Sequence, residues 1–136
     1  MTSAAISFGH LRRVTLAGLL SCIILSLAST AARAAELVMF ARPGCPYCLA
    51  FDREVGTIYG STDEGRRFPL RRVDIAAALP ADLDFVRVER FAPVFVLVDN
   101  GREIGRIRGY ASEEQFWGSF AVLLDRLRER GPPPKP

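Results

Sequence analysis

Cys45-Pro46-Tyr47-Cys48 stands where one sequence pattern hands over to another. Before it, Glu36 to Ala41 (ELVMFA) is an apolar run of strand length, followed by the turn residues Arg42-Pro43-Gly44. After it, Cys48, Phe51, Val55, Ile58 and Tyr59 recur at helical spacing, which predicts a helix from Pro46 to about Tyr59. Cys45 then lies at a helix N-terminus. Unpaired backbone N–H groups and the helix dipole favour negative charge there, so they stabilise the thiolate, the reactive form of the side chain. Pro46 suits the first helical position, because the N–H it lacks has no helical partner anyway. Cys48 lies one turn below on the same face and can reach Cys45 to close a disulfide. It is expected to be the less exposed of the two and to keep its proton longer. This asymmetry assigns the roles: Cys45 attacks a disulfide in a partner protein, and Cys48 resolves the mixed disulfide that results. The competing reading is a fixed structural disulfide, but so short a loop stabilises little, since the effect grows with loop length.

The third cysteine and the single histidine narrow the chemistry further. Both fall in a stretch that reads as an export leader. His10, Arg12 and Arg13 make a positive start, Val14 to Ala28 is apolar and uncharged, and Ala32-Arg33-Ala34 fits the A-x-A cleavage pattern. Cleavage is expected after Ala34, leaving Ala35 to Pro136. An uncleaved anchor is the alternative, because Val14 to Ala32 is just long enough for a span of roughly 20 residues. Arg12-Arg13 as a twin-arginine signal and Leu19-Leu20-Ser21-Cys22 as a lipoprotein box are weaker readings. Ile23-Ile24-Leu25 carries the apolar run past Cys22, where such a box ends. With Cys22 and His10 gone, no Cys-His or Ser-His catalytic pair is possible. Two thiolates alone do not fill a four-ligand structural metal site. Export implies an oxidising compartment, in which a dithiol cycles or locks. Arg12, Arg13 and Arg33 account for the whole net charge of +3, so the remainder is neutral and no basic run suggests nucleic acid.

The rest of the chain alternates strand and helix signals. Gly60 to Gly65 reads as a polar loop and Phe68 to Asp74 as a second strand. Ile75 to Arg90 reads as a loop with a short helix near Ala81 to Val88. Pro93 to Asp99 is a strong buried strand, and Asn100-Gly101 is a preferred two-residue hairpin turn into Arg102 to Arg108. Ser112, with Gln115 three residues on, opens the last helix in capping-box form. Phe116, Phe120, Leu123, Leu124 and Leu127 make its apolar stripe. Gly131 and the prolines after it end the helix, leaving 131–136 as a disordered Pro-rich tail. The order β-α-β-(α)-β-β-α predicts an α/β domain over 35–130, with a mixed four-stranded sheet flanked by helices. About 100 residues suffice for one independent core.

On these residues the chain resembles the thioredoxin superfamily, and the resemblance runs from Glu36 to about Arg130. Phe91-Ala92-Pro93 followed by strand, turn, strand and Gly109 matches the family pattern. It implies a cis-Pro93 facing the C-x-x-C, a backbone at Ala92 that pairs with an incoming peptide as an added strand, and Gly109 beside the same groove. Tyr47 is a candidate partner contact within the motif. More narrowly, ELVMF, GCPYC, DREV, TDEGRR and FWG look like the SoxS-type periplasmic thioredoxins of bacterial sulfur-oxidation systems. That likeness implies a periplasmic reductant that keeps a sulfur-carrier protein active and is itself recharged by a membrane thiol-electron transporter, with no cofactor and no stable membrane span once the leader is removed.

There are departures from the family pattern. Thioredoxins proper have W-C-G-P-C, whereas here Gly44 replaces the tryptophan and Pro46-Tyr47 replaces Gly-Pro. Their buried aspartate, a base for the second cysteine, corresponds to Met39, which leaves Glu36 or Asp74 to approach Cys48 instead. C-P-Y-C is common in glutaredoxins, but a glutathione site is not evident around Phe91-Ala92-Pro93 and Arg108-Gly109-Tyr110. Arg42 is placed to stabilise the Cys45 thiolate, although a turn arginine is more often simply solvated. Trp117 is expected in the core or on the helix surface, and the pairs Arg66-Arg67 and Arg71-Arg72 on solvated faces. Two other functions stay open: a glutathione-linked glutaredoxin, and a non-catalytic metal carrier binding through the two thiolates.

Overall fold

A computed structural model describes residues 34–131. The expected leader and the tail from Pro132 onward lie outside the described residues. Four strands form one sheet: β1 (Glu36–Ala41), β2 (Leu70–Asp74), β3 (Val94–Asp99) and β4 (Arg102–Arg108), in the order β2-β1-β3-β4. β1 runs parallel to β2 and antiparallel to β3, and β3 and β4 form an antiparallel hairpin. This is the expected mixed four-stranded α/β arrangement. The two central strands are the continuous apolar runs, because both of their faces are covered. Alternation along β1 splits them between two cores. Leu37, Met39 and Ala41 point to the side that also holds Phe51, Phe95, Phe116 and Phe120, while Val38 and Phe40 join Val94, Val96, Leu83 and Val86 on the other. Asn100 and Gly101 both take positive φ, 49° and 71°, the backbone that a type I′ hairpin turn needs.

The helix after β1 is α-helical over Pro46–Phe51 (α1), widens to a π-helical turn over Asp52–Gly56, and closes as α2 (Thr57–Tyr59). Here the uniform α-helical spacing expected from the sequence fails in one respect. Cys48, Phe51, Val55 and Tyr59 are buried, but Ile58 is 46% exposed. Spacings of four residues from Phe51 to Val55 to Tyr59 exceed the α-helical period. The wider turn absorbs the difference and brings Tyr59 rather than Ile58 to the core.

The loop expected over Gly60 to Gly65 is in part helix, α3 (Asp63–Arg67). Thr62 caps it, accepting the Gly65 N–H at 2.9 Å and donating to the Tyr59 carbonyl at 2.7 Å. The signal was present in the sequence, with Asp63 and Glu64 in the first turn and Arg66 and Arg67 in the last. A Cβ at Gly65 would stand 1.8 Å from the Tyr59 carbonyl oxygen, so only glycine lets the two turns close. The helix expected near Ala81 to Val88 contracts to a single 3-10 turn, Ala81–Leu83, with Leu83 and Val86 buried against the second core.

The last helix, α4 (Glu113–Arg130), starts where expected. Ser112 accepts the Gln115 N–H at 3.2 Å, while the Gln115 side chain takes the Ala111 N–H at 3.5 Å, one residue before the position a strict capping box uses. Phe116, Phe120, Leu123 and Leu124 are buried, and Trp117 stacks on Tyr59 at 5.9 Å. Arg66 pairs with Asp63, Arg71 with Glu36 and Asp82, and Arg72 with Asp52; Arg67 lies over the Phe68 ring. No helix of the described residues is long and apolar enough to cross a membrane.

Candidate active site

β1 ends at the sheet centre and hands the chain to α1 through Arg42-Pro43-Gly44. Cys45 is the N-cap of α1, with extended backbone, and Pro46 opens the helix. The Cys48 N–H donates to the Cys45 sulfur at 3.2 Å, so this sulfur takes a place that a serine or aspartate oxygen fills in most helix caps. Cys45 and Cys48 are joined as a disulfide with their Cα atoms 5.2 Å apart, within the usual range for such a bond. An N–H donor and the positive end of the helix aimed at one sulfur stabilise it as a thiolate once the bond opens.

Burial does not separate the two cysteines as the sequence reading expected. Each is 2% exposed in the disulfide form. Both are covered because the bond ties Cys45 back onto the helix turn that buries Cys48. Their surroundings differ instead. Cys45 borders two cavities and Cys48 only one. The shared cavity, about 330 Å³, is lined by Arg42, Leu49, Asp52, Arg72 and Asp74 among others. The second, about 670 Å³, holds Cys45 without Cys48 and is walled by Tyr47, Phe91, Ala92, Arg108, Gly109 and Tyr110, with Arg42 at its edge.

The hairpin side of this groove comes from far along the chain. The Ala92–Pro93 bond is cis, and the Ala92 carbonyl oxygen lies 3.5 Å from the Cys45 sulfur. Gly109 donates its N–H to the Pro93 carbonyl at 2.8 Å with φ at 81°, a conformation that costs a side-chain-bearing residue more than glycine. Cys45, Tyr47, Ala92 and Gly109 therefore meet around one groove. Pro93 is buried behind Ala92 and does not line it. Tyr47 is 61% exposed at the rim, and Arg42 lines both cavities.

Of the two acids expected near Cys48, Asp74 borders the shared cavity, while Glu36 sits at the far end of β1, paired with Arg71. Met39 is fully buried in the core. The sequence reading missed Asp52, which lies one helical turn beyond Cys48 and pairs with Arg72 in the same cavity. Its spacing of four from Cys48 was a usable signal. It also missed Tyr110 and Glu54. The hydroxyl of Tyr110, which lines the groove, donates to Glu54 Oε2 at 2.6 Å. These residues are 56 apart in sequence, and no local pattern joins them.

Burial, and then the Glu54 carboxylate that accepts its hydrogen bond, push the Tyr110 phenol above its ordinary value; burial and Glu64 do the same to Tyr59. The folded chain therefore holds these protons more tightly than the unfolded chain does. The stability this contributes is fully present below the ordinary phenol value of 10.0 and is lost as pH rises through the folded values. An absorbance titration should show Tyr59 and Tyr110 failing to ionise near pH 10 until the fold opens. Ionisation of Tyr110 there, with the fold intact, would contradict its contact with Glu54. In the segment before Phe91, burial works against the charge of Glu89, yet hydrogen bonds from Arg106 and Arg108 hold its carboxyl below the usual range.

Among the described residues, no group of three or more histidine, cysteine, aspartate or glutamate side chains is placed to hold a metal ion. The arrangement is suited to exchange between sulfurs. An activated sulfur sits at a groove, with a second sulfur bonded to it and a carboxylate-lined cavity behind.

Comparison with known proteins agrees with this geometry. The family profile of the thioredoxin-like domain matches residues 27–121. The crystal structure of the periplasmic thioredoxin SoxS from Paracoccus pantotrophus, in its reduced form, is similar to this chain with a TM-score of 0.65 and 40% sequence identity, covering 68% of this chain and 98% of that one. No curated protein sequence matches the chain significantly. Since the profile takes in well over half of the residues and includes the closed C-x-x-C, the chain belongs to the thioredoxin-like family and is a thiol–disulfide oxidoreductase.

Proposed function

We propose that this chain is a periplasmic reductant of protein disulfides and that its partner is a carrier protein of a sulfur-oxidation system. The observation that carries the reductase reading is the position of the Cys45 sulfur. It is the cap of α1, accepts an N–H, and stands 3.5 Å from the Ala92 carbonyl beside a groove of about 670 Å³. The likeness to a periplasmic SoxS thioredoxin at 40% identity supports the compartment and the partner class, as does the leader pattern before Ala35.

The cycle starts from the dithiol. The Cys45 thiolate attacks one sulfur of the partner's disulfide. The partner's other sulfur leaves as a thiolate, and a mixed disulfide joins the two proteins. Cys48 then loses its proton towards the cavity that holds Asp52 and Asp74, and its thiolate attacks the Cys45 sulfur. The partner leaves with both sulfurs reduced, and Cys45–Cys48 is left oxidised. Two electrons have moved from this chain to the partner. They are replaced by thiol–disulfide exchange with a membrane thiol-electron transporter. During the first step, Ala92 pairs its backbone with the partner segment as an added strand, Gly109 leaves room beside it, and Tyr47 packs on it from the helix side.

The reading is tested by supplying the reduced protein with insulin disulfides and, separately, with a glutathione-mixed peptide disulfide. Insulin should be reduced at a kcat/KM at least roughly tenfold above the mixed disulfide, a difference of about 1.4 kcal/mol in the transition state. The reverse order points to a glutaredoxin. A stable metal complex with no turnover of either substrate points to a metal carrier.

A further inference from the structure

The groove at Cys45 does not end at Phe91. On the far side of that ring a second cavity, about 600 Å³, is lined by Arg87, Val88, Glu89, Arg90, Phe91, Arg106 and Arg108. Phe91 and Arg108 belong to both cavities, so the two form one track leading away from the reactive sulfur. Its charge is one-sided. Five arginines line it when Arg42 is included, against the single carboxylate of Glu89. Glu89 is already committed to Arg106 and Arg108 at 2.8 and 2.9 Å, and Arg106 is held as well by Glu103. Among the described residues, no carboxylate pairs with Arg42, Arg87 or Arg90, and all three are exposed. Glu54 already accepts the hydrogen bond of the Tyr110 hydroxyl. Phe91 is 44% exposed and lines both cavities.

An outer row of unpaired guanidinium groups attracts carboxylates and orients them by paired N–H donors. An exposed aromatic ring between them supplies the apolar contact that anchors a bound segment. We propose that the track from Cys45 past Phe91 to Arg87 and Arg90 docks an extended acidic segment of the substrate protein, flanking its reducible disulfide. The inference rests on the protein-disulfide reductase reading above and adds to it a chemical class of substrate. The disulfide lies over Cys45, the backbone follows Ala92, and acidic side chains on one flank reach Arg90 and Arg87. Attraction of this kind acts mainly on the encounter, so it raises kcat/KM and weakens with salt.

The test uses three disulfide peptides of one length, with the residues flanking the disulfide acidic (Glu), neutral (Ser) or basic (Lys), and follows their reduction by the wild-type dithiol. The acidic peptide should have a kcat/KM roughly tenfold above the basic one at low salt, with the gap closing at high salt. Arg87→Gln/Arg90→Gln should erase most of the preference, and Arg87→Glu/Arg90→Glu should reverse it. Equal rates for acidic and basic peptides, both faster than a free cysteine thiol achieves, would overturn the docking track and leave the reductase standing. Failure to reduce any of the three would remove the reductase reading and the docking track with it. If oxidised glutathione outcompetes the acidic peptide and the arginine variants lose that advantage, the cations handle a small anionic disulfide and the proposal is wrong.

Discussion

Cys48→Ser is expected to hold its partner protein on Cys45 as a stable mixed disulfide, while Cys45→Ser captures nothing. The reason lies in what each sulfur faces. Cys45 is the helix cap and borders the groove, so its attack survives loss of the neighbouring sulfur. The cap N–H comes from the backbone of residue 48, which the substitution keeps. The second attack needs a sulfur at position 48, and serine oxygen does not displace a thiolate from a disulfide, so the complex stalls. In the reverse variant the remaining Cys48 borders only the cavity it shares with position 45 and does not line the groove. Steady-state reduction should fall by at least about 10³-fold in either variant, because the two sulfurs act as one unit. Non-reducing electrophoresis and mass analysis of the captured species read the difference directly. Equal capture by Cys45→Ser would mean that the roles are exchanged.

Phe51→Ala should lower stability by about 3–5 kcal/mol, the range for removing a fully buried aromatic ring. Phe51 is one helical turn beyond the active-site cysteines and joins three parts of the fold. Its ring lies 4.6 Å from Phe95 on β3, 5.1 Å from Phe116 on α4 and 5.5 Å from Tyr110, which lines the groove. Truncation leaves a cavity at the junction of the active-site helix, sheet and final helix, where each neighbour is itself held by other rings. For a domain of this size the melting temperature should drop by roughly 15–30 °C. Ile58→Ala on the same helical segment is the control. That side chain is 46% exposed, and its loss should cost under about 1 kcal/mol. Denaturant unfolding that finds the two variants equally stable would show that the aromatic cluster does not tie the helix to the core.

Much of the fold was legible because its signals are local. An apolar run bounded by turn residues made β1 and β3 recognisable, Asn100-Gly101 located the hairpin, and Ser112 with Gln115 located the start of α4. The helix Asp63–Arg67 was equally legible from Thr62 and the charges around it, but its glycine at position 65 read as a loop residue. Ile58 could not have been placed the same way. A uniform helical period assigns it to the core, and only the packing demands of Phe51, Val55 and Tyr59 against α4 and the sheet select the wider turn that turns it outward.

The site divides along the same line. The chemistry belongs to four consecutive residues, and chain neighbours alone set it: the strand before Cys45, the proline after it and the helix that follows place one sulfur at a cap and the other a turn below. What surrounds that chemistry is decided by sheet register and helix packing. Cys45 meets Ala92 across 47 residues of chain, and Tyr110 meets Glu54 across 56. Asp52 and Arg72 share the cavity beside Cys48 only because β2 lies against β1. The row of arginines past Phe91 is assembled from two separate segments in the same way. Contacts within a helical turn follow from the order of residues, whereas contacts between distant segments follow from which faces must be buried together. The nucleophile was therefore readable in the sequence, and its groove, its neighbouring carboxylates and the sign of its surface charge were not.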